Sequence, residues 1–558
     1  MRALIWAFGQ VLTPLVKRFH DALDNPRGAQ DRVLADVCDR LMASEYGEQY
    51  GIRGVDDWER LPIVDYEDIE PWVTRQICYP NQAILTPDPV LFCEKTSGSR
   101  GAAKLIPYTQ GLRQSFSHLF CIWAHDLIGH GPTFSTGQVY FCVSPTLAEI
   151  QSPHVPTEVG ERADRLNTHA LQDDSDYLNT WLQWVLTPFL VMVPQLGRLR
   201  SAEEFKEALC LKLLSEPRLE TLSIWSPSFL TVHLAYIQRH RHRLIQLLGN
   251  RISSHRRDAL MADPISWIEV WPQLKLISCW DSAGAADQAN HVRSHVPGVY
   301  VQGKGLLATE APMTVPLIQA QRSDDETSQT PGYVPLLDEV FFEFEPVGEG
   351  LPKTVCRLHD LNEGQEYSVI VSQKGGLYRY RMGDRVRVTH HHRNTPCLEF
   401  LGRDQSVSDM VGEKLNSNFV AEVLTHLSLD EASFKSLVPV SHPQPHYVLL
   451  LDRAVGLENV AIQDIERTEE GEGEEAREEK KAIALHLAHE LEMGLCRAYH
   501  YHHARLLGQL APAQVYIDAN IAEHVIQKRL QSGQCWGDMK HSLLETRPWL
   551  KSPLNLPR

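Results

Sequence analysis

One short segment, rich in glycine, hydroxyl side chains and cations, most constrains what this chain can fold into. It is Lys95-Thr96-Ser97-Gly98-Ser99-Arg100-Gly101-Ala102-Ala103-Lys104, preceded by an apolar run at 90–93 and followed by an amphipathic stretch from about 109 to 128. Glycines let a backbone approach an anion, hydroxyls add donors, and Arg100 and Lys104 supply positive charge. The pattern predicts a buried strand, a polyphosphate-binding loop and a helix. A flexible surface linker has a similar composition and is the alternative from these residues alone.

Length, charge and cysteine spacing limit the class of protein. At 558 residues the chain exceeds one ordinary core, so two or three domains are expected. The formal net charge of −17, without a basic stripe, argues against a nucleic-acid partner. No run of 18 apolar residues occurs, and we expect no membrane span. The eleven cysteines contain no C-x-x-C pair, which favours buried thiols in a reducing, cytoplasmic compartment.

The first half of the chain is predicted to be mainly helical. Residues 1–60 carry apolar side chains at three- and four-residue steps, whereas 61–89 are broken by prolines and predicted to be a connecting segment. Residues 173–262 are again predicted to be strongly helical. Within them Trp181 and Trp184 stand at helical spacing, which is more typical of core packing than of a ligand site.

The second half alternates strands and helices. Short strands are predicted at 274–281 and 299–302, and residues 333–404 are predicted to form a β-rich, barrel-like subdomain with a hairpin at 367–381. After about residue 415 the pattern indicates a smaller module. Its predicted parts are strands at 447–451 and 514–517, a helix from about 483 to 495 and an exposed acidic insertion at about 464–481.

Four further segments follow the loop in order along the chain. They are Gln302-Gly303-Lys304-Gly305-Leu306-Leu307-Ala308-Thr309-Glu310, Tyr378-Arg379-Tyr380-Arg381-Met382-Gly383-Asp384, Phe400-Leu401-Gly402-Arg403 with Gly412-Glu413-Lys414-Leu415, and Gly537-Asp538-Met539-Lys540. With the loop, they resemble the ordered motifs of the adenylate-forming enzymes. The particular residues of these motifs resemble those of the Gretchen Hagen three family, the auxin-responsive promoter family of acyl-acid amido synthetases. The resemblance runs from about residue 40 to the C-terminus and indicates a bacterial-type or otherwise divergent member.

The resemblance implies a fold and a reaction. The fold is mixed α/β: a large N-terminal adenylate-forming domain over 1–415, with α/β layers and the barrel-like subdomain, and a small mobile α+β domain over 416–558. The reaction is ATP-dependent ligation. A carboxylic acid becomes an acyl-AMP with release of pyrophosphate, and the acyl group passes to an amino acid or other amine, with Mg²⁺ as the metal and a monomer as the expected state. An acyl- or aryl-CoA ligase and a non-catalytic nucleotide-binding protein are the alternatives.

The resemblance also assigns roles to individual residues. Glu310 is expected to hold Mg²⁺, Lys414 to stand at the hinge, and Lys540 and Lys104 to act on the phosphates. The remaining residues implied in nucleotide binding are Thr96, Ser97, Gly98, Ser99, Arg100, Gly101, Thr309, Asp384 and Arg403. Two positions depart from the wider superfamily, because Arg100 replaces a usual Thr or Ser and Ala103 replaces a usual proline.

Overall fold

The computed structural model divides into two compact units. The larger is built mainly from Met1–Ala283 and Val292–Leu401, and the smaller mainly from Gly402–Ser532. The predicted domain boundary after residue 415 stays a prediction. The structure describes residues 1–96, 104–142, 180–193, 202–323, 329–348, 354–403, 407–408, 410–411, 413, 415–427, 429, 432–441, 444–453, 460–461, 474–506, 510–531 and 541–546.

Helices and short strands alternate along the described residues, which confirms the predicted mixed α/β class. The helices are α1 (Arg2–Asp24), α2 (Pro26–Met42), α3 (Glu45–Gln49), α4 (Tyr66–Cys78), α5 (Gln110–His130), α6 (Thr180–Leu186), α7 (Ala202–Ser215), α8 (Pro227–Leu248), α9 (Ser254–Met261), α10 (Trp267–Val270), α11 (Ala286–His295), α12 (Ser417–Thr425), α13 (Glu474–Leu495), α14 (Tyr499–Leu506) and α15 (Ile521–Gln531).

The strands follow the same order along the chain. They are β1 (Val90–Thr96), β2 (Lys104–Thr109), β3 (Gln138–Phe141), β4 (Leu219–Ser223), β5 (Leu276–Cys279), β6 (Tyr300–Gly303), β7 (Leu307–Ala308), β8 (Ala311–Pro312), β9 (Thr314–Pro316), β10 (Arg322–Ser323), β11 (Gln329–Thr330), β12 (Tyr333–Pro335), β13 (Phe341–Pro346), β14 (Cys356–Arg357), β15 (Glu366–Ser372), β16 (Tyr380–His392), β17 (Thr395–Arg403), β18 (Val407–Ser408), β19 (Leu415–Asn416), β20 (Lys435–Val440), β21 (His446–Leu451), β22 (Val460–Ala461) and β23 (Gln514–Ile517).

A parallel sheet of order β3-β4-β5-β6 forms one layer of the larger unit. Every residue of β4 and β5 is buried, as is usual for parallel strands covered on both faces. The predicted strands at 274–281 and 299–302 are confirmed as β5 and β6. Strand β4 lies within 173–262, so the prediction of continuous helix is wrong there. A strand buried on both faces lacks the period-two alternation that identifies strands in a sequence.

A second sheet, of order β14-β13-β15-β16-β17, occupies the stretch predicted to be β-rich. Strands β15 and β16 pair antiparallel, which confirms the predicted hairpin. Their register shifts in the middle, since two steps from Ser368 to Ile370 face four steps from Arg385 back to Arg381. Gly383 lies in this bulge with φ +71°, a conformation that glycine adopts without a steric penalty.

Residues 1–60 are largely helical as predicted, but the connecting segment at 61–89 contains helix α4. Asp65 and Asp68 form a capping box at its start, and Ile69, Val73 and Ile77 bury one face. Each buried aliphatic side chain contributes about 1.5–3 kcal/mol, whereas a proline inside a helix costs about 3 kcal/mol. The three buried side chains therefore outweigh the proline inside the helix, and the segment predicted to be a proline-broken connection is helical over Tyr66–Cys78.

The prediction that Trp181 and Trp184 pack in the core is also wrong. Their relative exposures are 42% and 80%, whereas Leu182 and Leu186 of the same short helix are buried. Residues four apart lie on one face of a helix. Helix α6 turns its leucine face inward, so the tryptophans lie outside.

The smaller unit is an α+β module around a sheet of order β20-β21-β23-β22. The predicted strands at 447–451 and 514–517 are confirmed as β21 and β23, which pair in parallel. The predicted helix corresponds to α13, whose Leu487, Leu491 and Leu495 are buried. Helix α13 begins at Glu474, earlier than expected and within the run predicted to be an insertion. The first part of that run, 464–473, lies outside the described residues.

Two chemical features concern the whole described chain. None of the ten cysteines in the described part forms a disulfide. Every helix among the described residues is too short or too polar to cross a lipid bilayer.

Candidate active site

The structure describes some of the predicted site residues fully and others not at all. Lys104, Thr309, Glu310 and Asp384 are described with their side chains. For Thr96 and Arg403 only the backbone is described, in β1 and β17. The predicted site residues that lie outside the described part are Ser97, Gly98, Ser99, Arg100, Gly101, Lys414 and Lys540.

The predicted phosphate loop connects two strands of a hairpin. Strands β1 and β2 pair antiparallel, and Thr96 faces Lys104 in their register. Helix α5 begins only after β2, where the Thr109 hydroxyl accepts a hydrogen bond from the Leu112 amide at 3.3 Å. The helix predicted from about 109 to 128 is confirmed as α5, and the short run between the loop and this helix forms β2. Lys104 is the last residue of the loop segment, and its side chain is described.

Lys104 is held between two aromatic side chains of the larger unit. Its Nζ lies 3.4 Å from Tyr380 Oη and 5.0 Å from the centre of the Tyr66 ring. Tyr66 is itself fixed to β2, since its Oη donates to the Leu105 carbonyl at 3.2 Å and accepts from the Leu105 amide at 2.8 Å. A cation over an aromatic face is stabilised by about 0.5–2 kcal/mol. The two aromatic side chains thereby position Nζ of Lys104.

Thr309 and Glu310 form the two-residue connection between β7 and β8. Two side chains from elsewhere in the larger unit donate hydrogen bonds to this turn. Tyr108 Oη donates to the Thr309 carbonyl at 2.8 Å, and Gln373 Nε2 donates to the Glu310 carbonyl at 3.2 Å. These contacts join β2, the turn and the loop between β15 and β16.

Glu310 is a mostly buried residue whose charge is felt by two tyrosines. The residue is 7% exposed, and within the described chain no group donates a hydrogen bond to its carboxylate or forms an ion pair with it. Burial raises the pKa of Tyr66 to about 12 and that of Tyr108 well above its ordinary value, with the charge of Glu310 a lesser cause in both. A carboxylate that takes part in no hydrogen bond or ion pair with the described residues keeps its oxygens available to a cation. Its oxygen is also the ligand type that Mg²⁺ prefers, so Glu310 fits a magnesium ligand.

Asp384 lies on the bulged strand β16. Tyr380, Met382 and Asp384 are all buried on this strand, and Asp384 is 3% exposed. Tyr380 is the residue that contacts Lys104. Asp384 thus lies four residues along the strand from the residue that contacts β2. A bulge is a common means of re-aiming a side chain beside a functional site.

Arg379, in the same motif, has a structural role. Its Nε and Nη2 each lie 3.1 Å from an oxygen of Glu343, and its Nη1 donates to the Leu61 carbonyl at 2.7 Å. Its φ of +45° is unusual for a residue with a side chain. The buried pair fixes the chain just before β16.

A separate cluster of His118, Asp338 and Glu339 has the composition of a metal site, since one ligand atom of each lies within 4.8 Å of the others. Protein cations already occupy these carboxylates: Arg18 Nε lies 2.9 Å from Asp338, and Lys374 Nζ lies 2.6 Å from Glu339. Burial alone would raise the pKa of Asp338, but the hydrogen bond and charge of His118 and the charge of Arg18 hold it below its usual value. The cluster is an ion-pair network.

Sequence reasoning did not single out Tyr66, Tyr108 or Gln373, which hold the site together. Tyr66 and Gln373 belong to no motif. Tyr108 had one available signal: residues two apart on a strand share a face, so it lies on the same face of β2 as Lys104.

Two domain models of one protein family match the chain. Residues 15–301 match the GH3 family N-terminal domain, and residues 333–403 match the GH3 family central domain. A 4-substituted benzoates-glutamate ligase of Arabidopsis thaliana is 21% identical over 475 residues, which cover 78% of this chain and 80% of the relative. A jasmonoyl–L-amino acid synthetase of Nicotiana attenuata is 21% identical over 468 residues, covering 75% of this chain and 78% of the relative.

The fold is also found among solved structures. The structure of the AtGH3.15 acyl acid amido synthetase in complex with 2,4-DB has a TM-score of 0.73 with 18% sequence identity. The similarity covers 96% of this chain and 94% of that chain. At this identity the likeness establishes a shared fold.

Proposed function

The chain belongs to the GH3 family, and from this premise we propose that it is an ATP-dependent acyl-acid amido synthetase whose larger unit carries the adenylation site. The observation that carries the proposal is a set of three contacts in the larger unit. Tyr108 holds Thr309, Gln373 holds Glu310, and Lys104 meets Tyr380 of the strand that carries Asp384. These contacts bring residues that are far apart in the sequence next to one another within the larger unit.

The first step is the attack of a carboxylate on the α-phosphate of ATP, which releases pyrophosphate. Lys104 supplies positive charge toward the β- and γ-phosphates, a role it shares in this proposal with Thr96, Ser97, Gly98, Ser99, Arg100 and Gly101. Such a displacement is accelerated by positioning the reactants and by fixed charges that meet the phosphates. The aromatic contacts of Lys104 support this role, because they hold the ammonium in place before the nucleotide arrives.

Glu310 is proposed as the protein ligand of Mg²⁺. When bound with ATP, Mg²⁺ would neutralise charge on the phosphates. Thr309, the other residue of the turn, is proposed to contact the nucleotide. The burial of Glu310 and the lack of a donor to its carboxylate among the described residues support the assignment.

Asp384 and Arg403 are proposed to bind the ribose. An ionised aspartate only accepts hydrogen bonds and so suits a pair of hydroxyl donors. The position of Asp384 beside the bulge supports its role, since Gly383 allows the backbone to turn there.

The second step joins the acyl group to an amine. The amine nitrogen attacks the acyl carbon, the bond from that carbon to the AMP oxygen breaks, and the nitrogen gives up a proton. Lys540 is proposed to act on the α-phosphate during adenylation. Lys414 is proposed to stand at the hinge about which the small domain moves between the first step and the second. No covalent enzyme intermediate is needed.

We propose a carboxylic acid and an amino acid as substrates, as the printed names of the relatives describe for those proteins. We also propose that the protein acts as a monomer in the cytoplasm. The lack of a disulfide among the described cysteines supports a reducing compartment. A monomer is the simplest state, since one chain carries every proposed site residue, and sedimentation analysis tests it.

Product analysis tests the proposed reaction. Purified protein is incubated with ATP, Mg²⁺ and a panel of indole, phenyl, benzoyl and fatty acids, first with labelled pyrophosphate and then with amino acids or coenzyme A. We expect acid-dependent exchange of pyrophosphate into ATP, followed by an amide product. A thioester product would instead establish a CoA ligase, and no exchange with any acid would favour a nucleotide-binding protein without catalysis.

A further inference from the structure

We propose that Tyr108 and Gln373 are positioning residues that hold the Thr309–Glu310 turn and thereby set the affinity for the Mg²⁺ that accompanies ATP. This inference rests on the proposed role of Glu310 as a magnesium ligand. The starting point is that both carbonyls of the turn accept a hydrogen bond from a buried side chain. Tyr108 Oη donates at 2.8 Å to Thr309, and Gln373 Nε2 donates at 3.2 Å to Glu310.

Both donors are fixed by their own surroundings. Tyr108 is fully buried, and its ring stacks on Phe92 of β1 at 4.7 Å between centroids. Gln373 is 1% exposed, and its Oε1 accepts a hydrogen bond from the Gly375 amide. Its backbone amide donates to the Leu377 carbonyl at 2.9 Å. A donor whose own position is fixed can fix the group it bonds.

The next residue ties this loop to helix α5. Lys374 Nζ lies 2.6 Å from Glu339, whose carboxylate also accepts from the Ser115 hydroxyl at 2.6 Å. The Lys374 carbonyl accepts from the Thr109 hydroxyl at 3.2 Å. The loop that carries Gln373 is therefore anchored through both the side chain and the carbonyl of Lys374. Gln373 transmits that anchoring to Glu310.

The turn needs external support because little else positions it. Strands β7 and β8 contain only two residues each. No described group bonds the Glu310 carboxylate, so the placement of this side chain depends on the backbone that bears it. A metal ligand displaced by a fraction of an ångström loses favourable geometry, since Mg²⁺ demands nearly octahedral coordination.

Calorimetric titration with a non-hydrolysable ATP analogue, in Mg²⁺ and in EDTA, tests the inference without using turnover. The measured quantity is the gain in affinity that Mg²⁺ produces. We expect Tyr108→Phe and Gln373→Met each to reduce that gain roughly tenfold, the equivalent of one lost hydrogen bond. Affinity in EDTA should fall less than affinity in Mg²⁺, because neither donor contacts the nucleotide and any loss through Thr309 is common to both conditions.

Tyr367→Phe is the matched control. Tyr367 is also buried, and its hydroxyl bonds Gln365 and the Asn362 amide at 3.0 Å each. We expect it to lose thermal stability as Tyr108→Phe does, while keeping the full Mg²⁺ gain. Equal loss of the gain in the control would mean that the effect is merely structural, and an intact gain in both Tyr108→Phe and Gln373→Met would overturn the inference.

Glu310→Gln separates this inference from the function on which it rests. If Glu310→Gln abolishes the gain while both positioning variants keep it, the magnesium ligand stands and the positioning role fails. If Glu310→Gln keeps the gain, the magnesium role of Glu310 fails, and the positioning proposal fails with it. Should Gln373→Met not fold, as judged by circular dichroism, Tyr108→Phe decides alone, because it removes only one oxygen.

Discussion

The ammonium nitrogen of Lys104 lies 3.4 Å from the phenol oxygen of Tyr380. This contact joins the strand that follows the predicted phosphate loop to the strand that carries Asp384. The two residues are separated by more than half of the larger unit in sequence, and only the fold brings them together. Since a positioned cation loses little entropy when it meets an anion, the contact supports the proposed role of Lys104 in binding phosphate.

Removing the charge of Lys104 should impair adenylation. We expect Lys104→Met to lower kcat/KM for pyrophosphate exchange roughly 100-fold, as loss of a preorganised group beside developing charge does elsewhere. Tyr380→Phe should lower it much less, because Lys104 itself and its contact with the Tyr66 ring remain. Lys17→Met, at an exposed lysine on α1, is the control. Wild-type kinetics in Lys104→Met would remove this lysine from the site.

Neutralising Asp384 should weaken nucleotide binding whether or not Mg²⁺ is present. Asp384→Asn keeps the side-chain shape but loses the ionised acceptor, and hydrogen bonds to charged groups contribute about 1.5–3 kcal/mol. We expect a corresponding loss of affinity for ATP and AMP alike in calorimetric titrations. If AMP bound Asp384→Asn as tightly as the wild type, the ribose assignment would be wrong.

Lys540 should matter for chemistry and not for initial binding. We expect Lys540→Ala to slow pyrophosphate exchange strongly while leaving the affinity for ATP near its wild-type value, because this lysine is proposed to reach the α-phosphate only during adenylation. The comparison is of exchange rate against calorimetric affinity in the same variant. A folded Lys540→Ala protein that no longer binds ATP would argue against this role.

Acid should destabilise the parallel sheet through Glu220. Burial would raise the pKa of this carboxyl, but hydrogen bonds from Lys275 and from the amides of Gly137, Thr136 and Ser135 hold it below its usual value. A depressed carboxyl pKa stabilises the fold above the pKa of the unfolded chain, and that stabilisation is lost as pH falls through the folded value. We therefore expect the free energy of unfolding to fall as pH is lowered from about 5 toward 3.

Glu220→Gln checks this prediction by urea unfolding at several pH values. At pH 7 we expect the variant to be less stable by about 3 kcal/mol, since it removes a buried carboxylate from an ion pair and from several hydrogen bonds. Its stability should also depend less on pH below about 5 than that of the wild type. Glu269→Gln, at an exposed position on α10, should leave both quantities unchanged. A pH dependence identical to the wild type in Glu220→Gln would contradict the assignment.

The family and the mixed α/β fold were predictable from the sequence and are confirmed. The basis was the order of short motifs, such as the segment ending at Glu310 and the segment ending at Asp384. Such motifs are local, and each can be identified without knowing what lies beside it in the fold. The hairpin of β15 and β16 was predictable for the same reason, since its turn residues are adjacent in sequence.

What the sequence did not reveal depends on contacts between distant segments. Tyr66, Tyr108 and Gln373 are ordinary residues in the sequence, and their roles come from the groups they meet. Trp184 stands at the helical spacing typical of a core residue. Which face of its helix packs inward depends on the neighbouring elements, and the periodicity of the sequence does not reveal those. Strand β4 was missed because burial on both faces removes the alternation that marks a strand.

A crystal structure with a non-hydrolysable ATP analogue and Mg²⁺ tests the central claim most directly. The account predicts one nucleotide with its phosphates at Lys104, its metal at Glu310 and its ribose at Asp384. A nucleotide bound in a cavity that contains none of these three side chains, or only one of them, would contradict it.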